Sequence, residues 1–224
     1  MGKRSVVALL ACGSVNWLST AKGAVTLGQS DTFQDGTTDN WAGGDTLSII
    51  PTGGPAGSGD EYLQLISSGG GGTGSKLATS NSSQWIGNYQ LAGVTAVSAE
   101  FLNPNSVPLL MRFVLIGPTG GRYTSSVAAT IPADDAWHAE LFSLQSSALT
   151  EVSGSDTYAA TIADVTEVLI RYDSTPTSGG TTFAGTVGID DITATTVPEP
   201  VGAALLATPG LALCVRRRKR SGPV

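Results

Sequence analysis

Few of the 224 residues carry side chains able to do chemistry, and their spacing argues against catalysis. The one histidine, His138, follows Trp137 and precedes Glu140 by two positions. No Gly-x-Ser-x-Gly elbow supplies a nucleophile, and no second histidine stands at metal-ligand spacing. A lone histidine on a strand reads as a surface or packing residue. Asp134 and Asp135 are the nearest approach to the carboxylate pair that cleaves glycosides. They are adjacent in a predicted turn after Pro132, which sends their side chains apart into water. The glycine-rich run Gly69 to Gly74 lacks the lysine before serine or threonine that a phosphate loop requires. The expected class is therefore not an enzyme.

Two aromatic residues suggest binding instead. Trp85 and Tyr89, in the polar stretch from Ser80 to Gln90, are candidate platforms for stacking a sugar ring. The alternative is a small aromatic core. Both cysteines lie near the chain ends, Cys12 and Cys214, so the middle of the chain holds no thiol. It must be held together by burial of apolar surface, with or without a metal.

Charge is segregated. Between Val25 and Thr196 stand seventeen acidic residues and only Lys76, Arg112, Arg122 and Arg171, a net charge of −13. Such a domain repels nucleic acid, and nucleic-acid binding is excluded on that ground. The other eight cations sit in the two ends.

The elements that must position any site are strands. With 29 glycines and only 13% charged residues, long helices are disfavoured and a coiled coil is excluded. Strands are expected over residues 61–66, 94–102, 109–116, 122–130, 137–144, 165–172 and 185–195, punctuated by glycine, serine, asparagine and proline. The stretch Leu109 to Ile116 is almost continuously apolar, which predicts a central strand. Connections too short for crossover helices give an all-β, antiparallel two-sheet sandwich of eight or nine strands, occupying residues 25–196.

The two ends read as targeting segments. Residues 1–24 have a basic start, an apolar middle and small residues before cleavage, as in a secretory signal peptide that forms a short helix. Cleavage after Ala21 and after Gly23 both satisfy the small-residue rule, and signal peptidase is the expected partner. A lipoprotein reading, with Cys12 acylated, leaves only six apolar residues before the cysteine. At the other end Val197-Pro198-Glu199-Pro200 precedes fifteen uncharged residues, 201–215, and then the cluster Arg216, Arg217, Arg218, Lys219 and Arg220. A fifteen-residue helix covers about 22 Å, so this single transmembrane helix relies on snorkelling arginines and local thinning to cross a core of about 30 Å. The basic cluster places the tail in the cytoplasm and the acidic domain outside. This order of motif, apolar segment and basic cluster over 197–224 resembles the PEP-CTERM sorting signal of bacterial exported proteins. The resemblance implies processing at Pro-Glu-Pro by the membrane enzyme exosortase. It also implies a destination at the surface or in the extracellular matrix of a Gram-negative-type bacterium. An ordinary tail anchor is the other reading.

The domain itself carries a second resemblance. Phe33-Gln34-Asp35-Gly36 with Trp41 opens it, and Val187-Gly188-Ile189-Asp190-Asp191-Ile192 closes it. That pairing resembles galactose-binding-like jelly rolls, among them carbohydrate-binding modules, whose first and last strands lie side by side. The stretches Trp137 to Phe142 and Ile162 to Arg171 resemble laminin IV type A domains of the same architecture. The resemblance implies a jelly roll, a non-catalytic binding role with polysaccharide as ligand, and a structural calcium near the closing aspartate. Asp190 matches that position, with Asp31 and Asp35 as partners from the opening strand, although Gln34 stands where these relatives often carry glutamate. Solvated strand-end aspartates are the alternative. A structural or adhesive surface protein with protein partners is the second functional expectation, and a glycoside hydrolase or lyase the third.

Overall fold

The computed structural model describes residues 24–72 and 75–198. The segment expected to be a signal peptide, except Ala24, and the expected sorting signal from Glu199 onward, with Pro200 and Arg216, Arg217 and Arg218, lie outside the described residues. No helix among the described residues is long and apolar enough to cross a membrane.

Two antiparallel sheets face each other across one core, a jelly roll. The first is built from β3 (Thr46–Ile50), β4 (Tyr62–Ser68), β6 (Ala96–Leu102), β10 (Trp137–Ser143) and β13 (Ala184–Thr195), in the order β10-β6-β13-β4-β3. The second contains β2 (Ala42–Gly43), β5 (Ala78–Asn81), β7 (Leu109–Ile116), β8 (Arg122–Ser125), β11 (Leu149–Ser153) and β12 (Glu167–Tyr172), in the order β11-β8-β7-β12-β5-β2. A short β9 (Ala129–Ile131) pairs with the opening half of β7, and β8 with its closing half.

The opening strand β1 (Ser30–Asp31) lies beside the last, with Ser30 opposite Thr193 and Asp31 opposite Ile192. β13 thus changes partner along its length, pairing with β4 up to Ile189 and with β1 from Ile192. The change happens at a bulge. Against β6, register shifts between Asp190 and Thr193, and Asp191 takes a left-handed φ of 48°.

Period-two alternation builds the core. On β6, Val97, Ala99 and Phe101 point inward; on β7, Leu109, Met111, Phe113 and Leu115 do so; on β12, Val168 and Ile170. β7 is apolar on both faces except for Arg112 and is flanked by strands on both edges, as its sequence predicts. The region expected as one strand over 122–130 is instead two, β8 and β9, which occupy different halves of the same neighbour. Two short helices, α1 (Tyr89–Ala92) and α2 (Tyr158–Ala163), close one end of the sandwich; Asn88 caps α1 and Gly93 ends it in the left-handed region.

Candidate functional site

Of the two readings of Trp85 and Tyr89, the structure has the small aromatic core and not the sugar platform. Trp85 and Tyr89 are both fully buried and offer no face to a sugar. Trp85 packs against Trp41 with ring centroids 6.1 Å apart. Both indole N–H groups donate to Oδ2 of Asp31, at 2.8 Å from Trp41 and 2.6 Å from Trp85, and Gln84 donates to the same oxygen at 3.1 Å. The Tyr89 hydroxyl donates to the Trp85 carbonyl at 2.8 Å, and burial raises its pKa above the ordinary value. A polar stretch with spaced aromatics reads as an exposed loop. It is buried here because Asp31 satisfies the indole donors.

Of the three aspartates singled out for calcium, Asp31 and Asp35 line one shallow pocket with Asp39, whose pKa is raised by burial and then by their charges, while the acids around Asp190 are Asp191, Asp60 and Glu100. Asp31 is committed to the two indoles. Asp35 is exposed and accepts from the Thr37 backbone at 2.9 Å and from its hydroxyl at 2.8 Å, bonds that lower its pKa. Asp190 is buried in the β13 bulge, where its Oδ1 accepts from the Asp191 backbone at 2.7 Å. Burial, with the charges of Asp191, Asp60 and Glu100, raises its carboxyl to about 7. Among the described residues no three His, Cys, Asp or Glu side chains form a metal-holding group.

Oxygen donors do collect between the opening strand and β4. Gln34 Nε2 donates to Asp60 Oδ1 at 2.8 Å and to the carbonyls of Thr32 and Glu61 at 3.1 Å each. A Cβ placed on Gly54 would lie 2.5 Å from Asp60 Oδ2 and 3.0 Å from Asp190 Oδ2, so those two carboxylates flank one glycine. Calcium takes six to eight oxygens. Here Asp60 stands beside Asp190 on one side and beside the Thr32 and Glu61 carbonyls, through Gln34, on the other.

His138 and Asp134 meet at 2.9 Å, both partly exposed, and that hydrogen bond lowers the Asp134 pKa. Asp134 also accepts from the Ala136 backbone at 3.2 Å, while Asp135 has a left-handed φ of 56°. The pair shapes the turn into β10. Of the expected sorting motif, Val197 and Pro198 are described, and the Val197 amide donates to Thr95 Oγ1 at 2.9 Å.

A groove of about 310 Å³ runs over the outer face of the second sheet. Alternation puts it there. With Val168 and Ile170 turned inward, β12 presents Glu167, Leu169 and Arg171 outward; β7 presents Ile116 and β8 presents Arg122. Small residues on β2 and β5, Ala42, Gly43, Ala78 and Ser80, leave the space open. Gly43 is required where β2 meets β5: a Cβ there would lie 2.3 Å from the Ala78 carbonyl oxygen.

The loop between β12 and β13 forms one wall. Lys76 Nζ donates to the carbonyls of Gly179 at 2.6 Å and Gly180 at 3.1 Å, and Arg122 donates to Ser178 at 2.8 Å. Arg171 donates to Ser178 at 3.2 Å, to the Thr177 carbonyl, and to Asp173 Oδ2 at 3.1 Å. Directly opposite Arg171 on β7, Arg112 donates to the Asp173 carbonyl at 2.9 Å. Sequence analysis missed this site, because its residues are scattered over five strands and a loop.

No family model matches the chain, and no curated protein sequence matches it. Solved structures do. A family 11 carbohydrate-binding module from Clostridium thermocellum, in complex with a β-1,3-1,4-mixed-linked tetrasaccharide, superposes with a TM-score of 0.52 at 14% identity, over 78% of this chain and 99% of the module. The solution structure of CtCBM11 gives 0.52 at 15% identity, over 81% of this chain and 100% of the module. What is shared is the fold. An exo-β-agarase gives 0.53 at 12% identity over 77% of this chain, which spans only 25% of the agarase.

Proposed function

We propose that residues 25–196 form a non-catalytic carbohydrate-binding module of an exported surface or matrix protein, with polysaccharide as its partner. One observation carries the reading: an open groove, with Leu169 and Ile116 in its floor and polar side chains at its margins, on the outer face of a jelly-roll sheet. The likeness in fold to a carbohydrate-binding module solved with a mixed-linked tetrasaccharide supports it.

The sequence signals supply the setting. Signal peptidase would remove the N-terminal segment, and exosortase would process the chain at Pro198-Glu199-Pro200 after the apolar helix has held it in the membrane. A structural calcium would tie the opening segment to β4 and β13 through Asp60 and Asp190. Its service would be neutralising carboxylates, not chemistry.

A glycan array with the purified protein tests the binding role. Ser80→Trp, which fills the groove, should abolish retention of whichever glycan the wild type holds. Retention of no glycan, with cell aggregation lost on gene deletion, would favour the adhesive protein-binding reading instead.

A further inference from the structure

We propose that the groove recognises anionic polysaccharides, those bearing carboxylate or sulfate groups, in preference to neutral ones. The inference rests on the carbohydrate-binding reading and names its ligand class.

The argument begins from where the cations are. Lys76, Arg112, Arg122 and Arg171 are the only lysines and arginines between Val25 and Thr196, and all four lie on or beside this one face. Two of the seventeen acidic residues share it: Asp173, bonded to Arg171, and Glu167 in the groove wall. The face carries +2 while the rest of the domain carries fifteen acids and no lysine or arginine. A charge distribution this uneven focuses a positive field in a concave site on an otherwise repulsive surface. The domain's overall charge, which excludes nucleic acid as a general partner, therefore does not describe this groove.

The cations are also under-compensated. Among the described residues the ion pairs are Arg171 with Asp173 and His138 with Asp134, so Lys76, Arg112 and Arg122 have no carboxylate within 4.0 Å. Their partners are neutral backbone carbonyls. Arg171 is 2% exposed, lines the groove, and keeps its Nε–H without a partner. Clustered like charges in a partly desolvated site cost free energy that a bound oxyanion recovers. Lys76 and Arg122, both half-buried at the groove margin, are positioned to make that contact beside the apolar patch of Leu169 and Ile116.

The test compares matched polymers at physiological salt in calcium-free buffer: polygalacturonate against its carboxyl-reduced form, and sulfated dextran against dextran. At least one charged polymer should bind tenfold or more tighter than its neutral counterpart. Arg122→Gln and Lys76→Gln should each remove most of that difference, and Arg122→Lys should restore part of it, with melting temperature confirming that each variant folds. Equal binding of charged and neutral forms would overturn the charge preference and leave carbohydrate binding standing. Binding of no polymer here and no glycan on an array would overturn both. Preference for the charged form that survives both glutamine variants would place the anion site elsewhere and also overturn the proposal.

Discussion

Asp190 on β13 stands directly opposite Glu100 on β6, two acids side by side in a sheet with no cation between them. Asp190 is 1% exposed, and burial first, then Asp191, Asp60 and Glu100, raises its carboxyl to about 7. The unfolded chain releases that proton near pH 4. The folded state holds it longer, so the stabilisation is complete below pH 4 and is lost as pH rises through 7. At its steepest one such proton is worth about 1.4 kcal/mol per pH unit. Urea unfolding in metal-free buffer should show stability from this group falling between about pH 4 and about pH 7 and level above that. Asp190→Asn keeps the oxygen that accepts from Asp191 and should flatten the fall. Identical pH profiles for wild type and variant would remove Asp190 from the account.

The proposed calcium would act on the same carboxylates. A cation among Asp60, Asp190 and the carbonyls of Thr32 and Glu61 would bridge the opening segment to β4 and β13. EDTA should then lower the melting temperature and calcium restore it, since a ligand that binds only the folded state stabilises it. Gln34 provides the sharper measurement. Its amide N–H now donates to Asp60 and to both carbonyls, so Gln34→Glu replaces a donor with a third carboxylate and should tighten calcium binding by tenfold or more. Titration calorimetry reads this directly, and an unchanged affinity would put the ion elsewhere.

Local pattern made the sandwich legible, but not the site. Leu109 to Ile116 announces a central strand because burial on both faces requires a continuous apolar run, and the structure has β7 there. The pairing of first and last strands is what the resemblance carried by Phe33 to Gly36 and Val187 to Ile192 implies, not what their spacing shows, and β1 does lie on β13. Pattern fails where a side chain's environment is set by distant residues. Trp85 stands among polar neighbours, so local pattern leaves open whether it faces solvent or a small core; nothing local shows that Asp31, 54 positions earlier, will accept from its indole. Arg122 and Arg171 read as two isolated cations in an acidic chain. Only the register of β8, β7 and β12 brings them to one face. The two-residue strands β1 and β2 are too short to show any period, and their pairing depends wholly on the strands beside them.

Export and sorting can be followed through the chain's own charges. Expressed in a Gram-negative-type host with an exosortase, the protein should appear outside the cytoplasm with the segment after Pro198-Glu199-Pro200 removed. Mass spectrometry of the mature form should lack Arg216, Arg217 and Arg218. Pro198→Ala with Pro200→Ala should leave uncleaved chain in the membrane fraction. Recovery of the full-length wild type in the cytosol, protected from added protease, would overturn the reading.

The buried Asp31 should be a stability hub. Its Oδ2 accepts from two indoles and an amide, and no lysine or arginine stands against it. Asp31→Ala strips the acceptor from two buried N–H donors, each costing about 1–3 kcal/mol when left unmade. The variant should therefore lose about 2–6 kcal/mol in urea unfolding. Asp31→Asn, which keeps an acceptor oxygen in place, should lose less. Coupling separates these bonds from simple packing loss: Trp85→Phe removes one donor, so it should cost less in the Asp31→Ala background than in wild type. Strict additivity of the two substitutions would mean that the short contact between Asp31 and Trp85 carries no net energy. The aromatic end of the sandwich would then be held by burial of Trp41, Trp85 and Tyr89 alone.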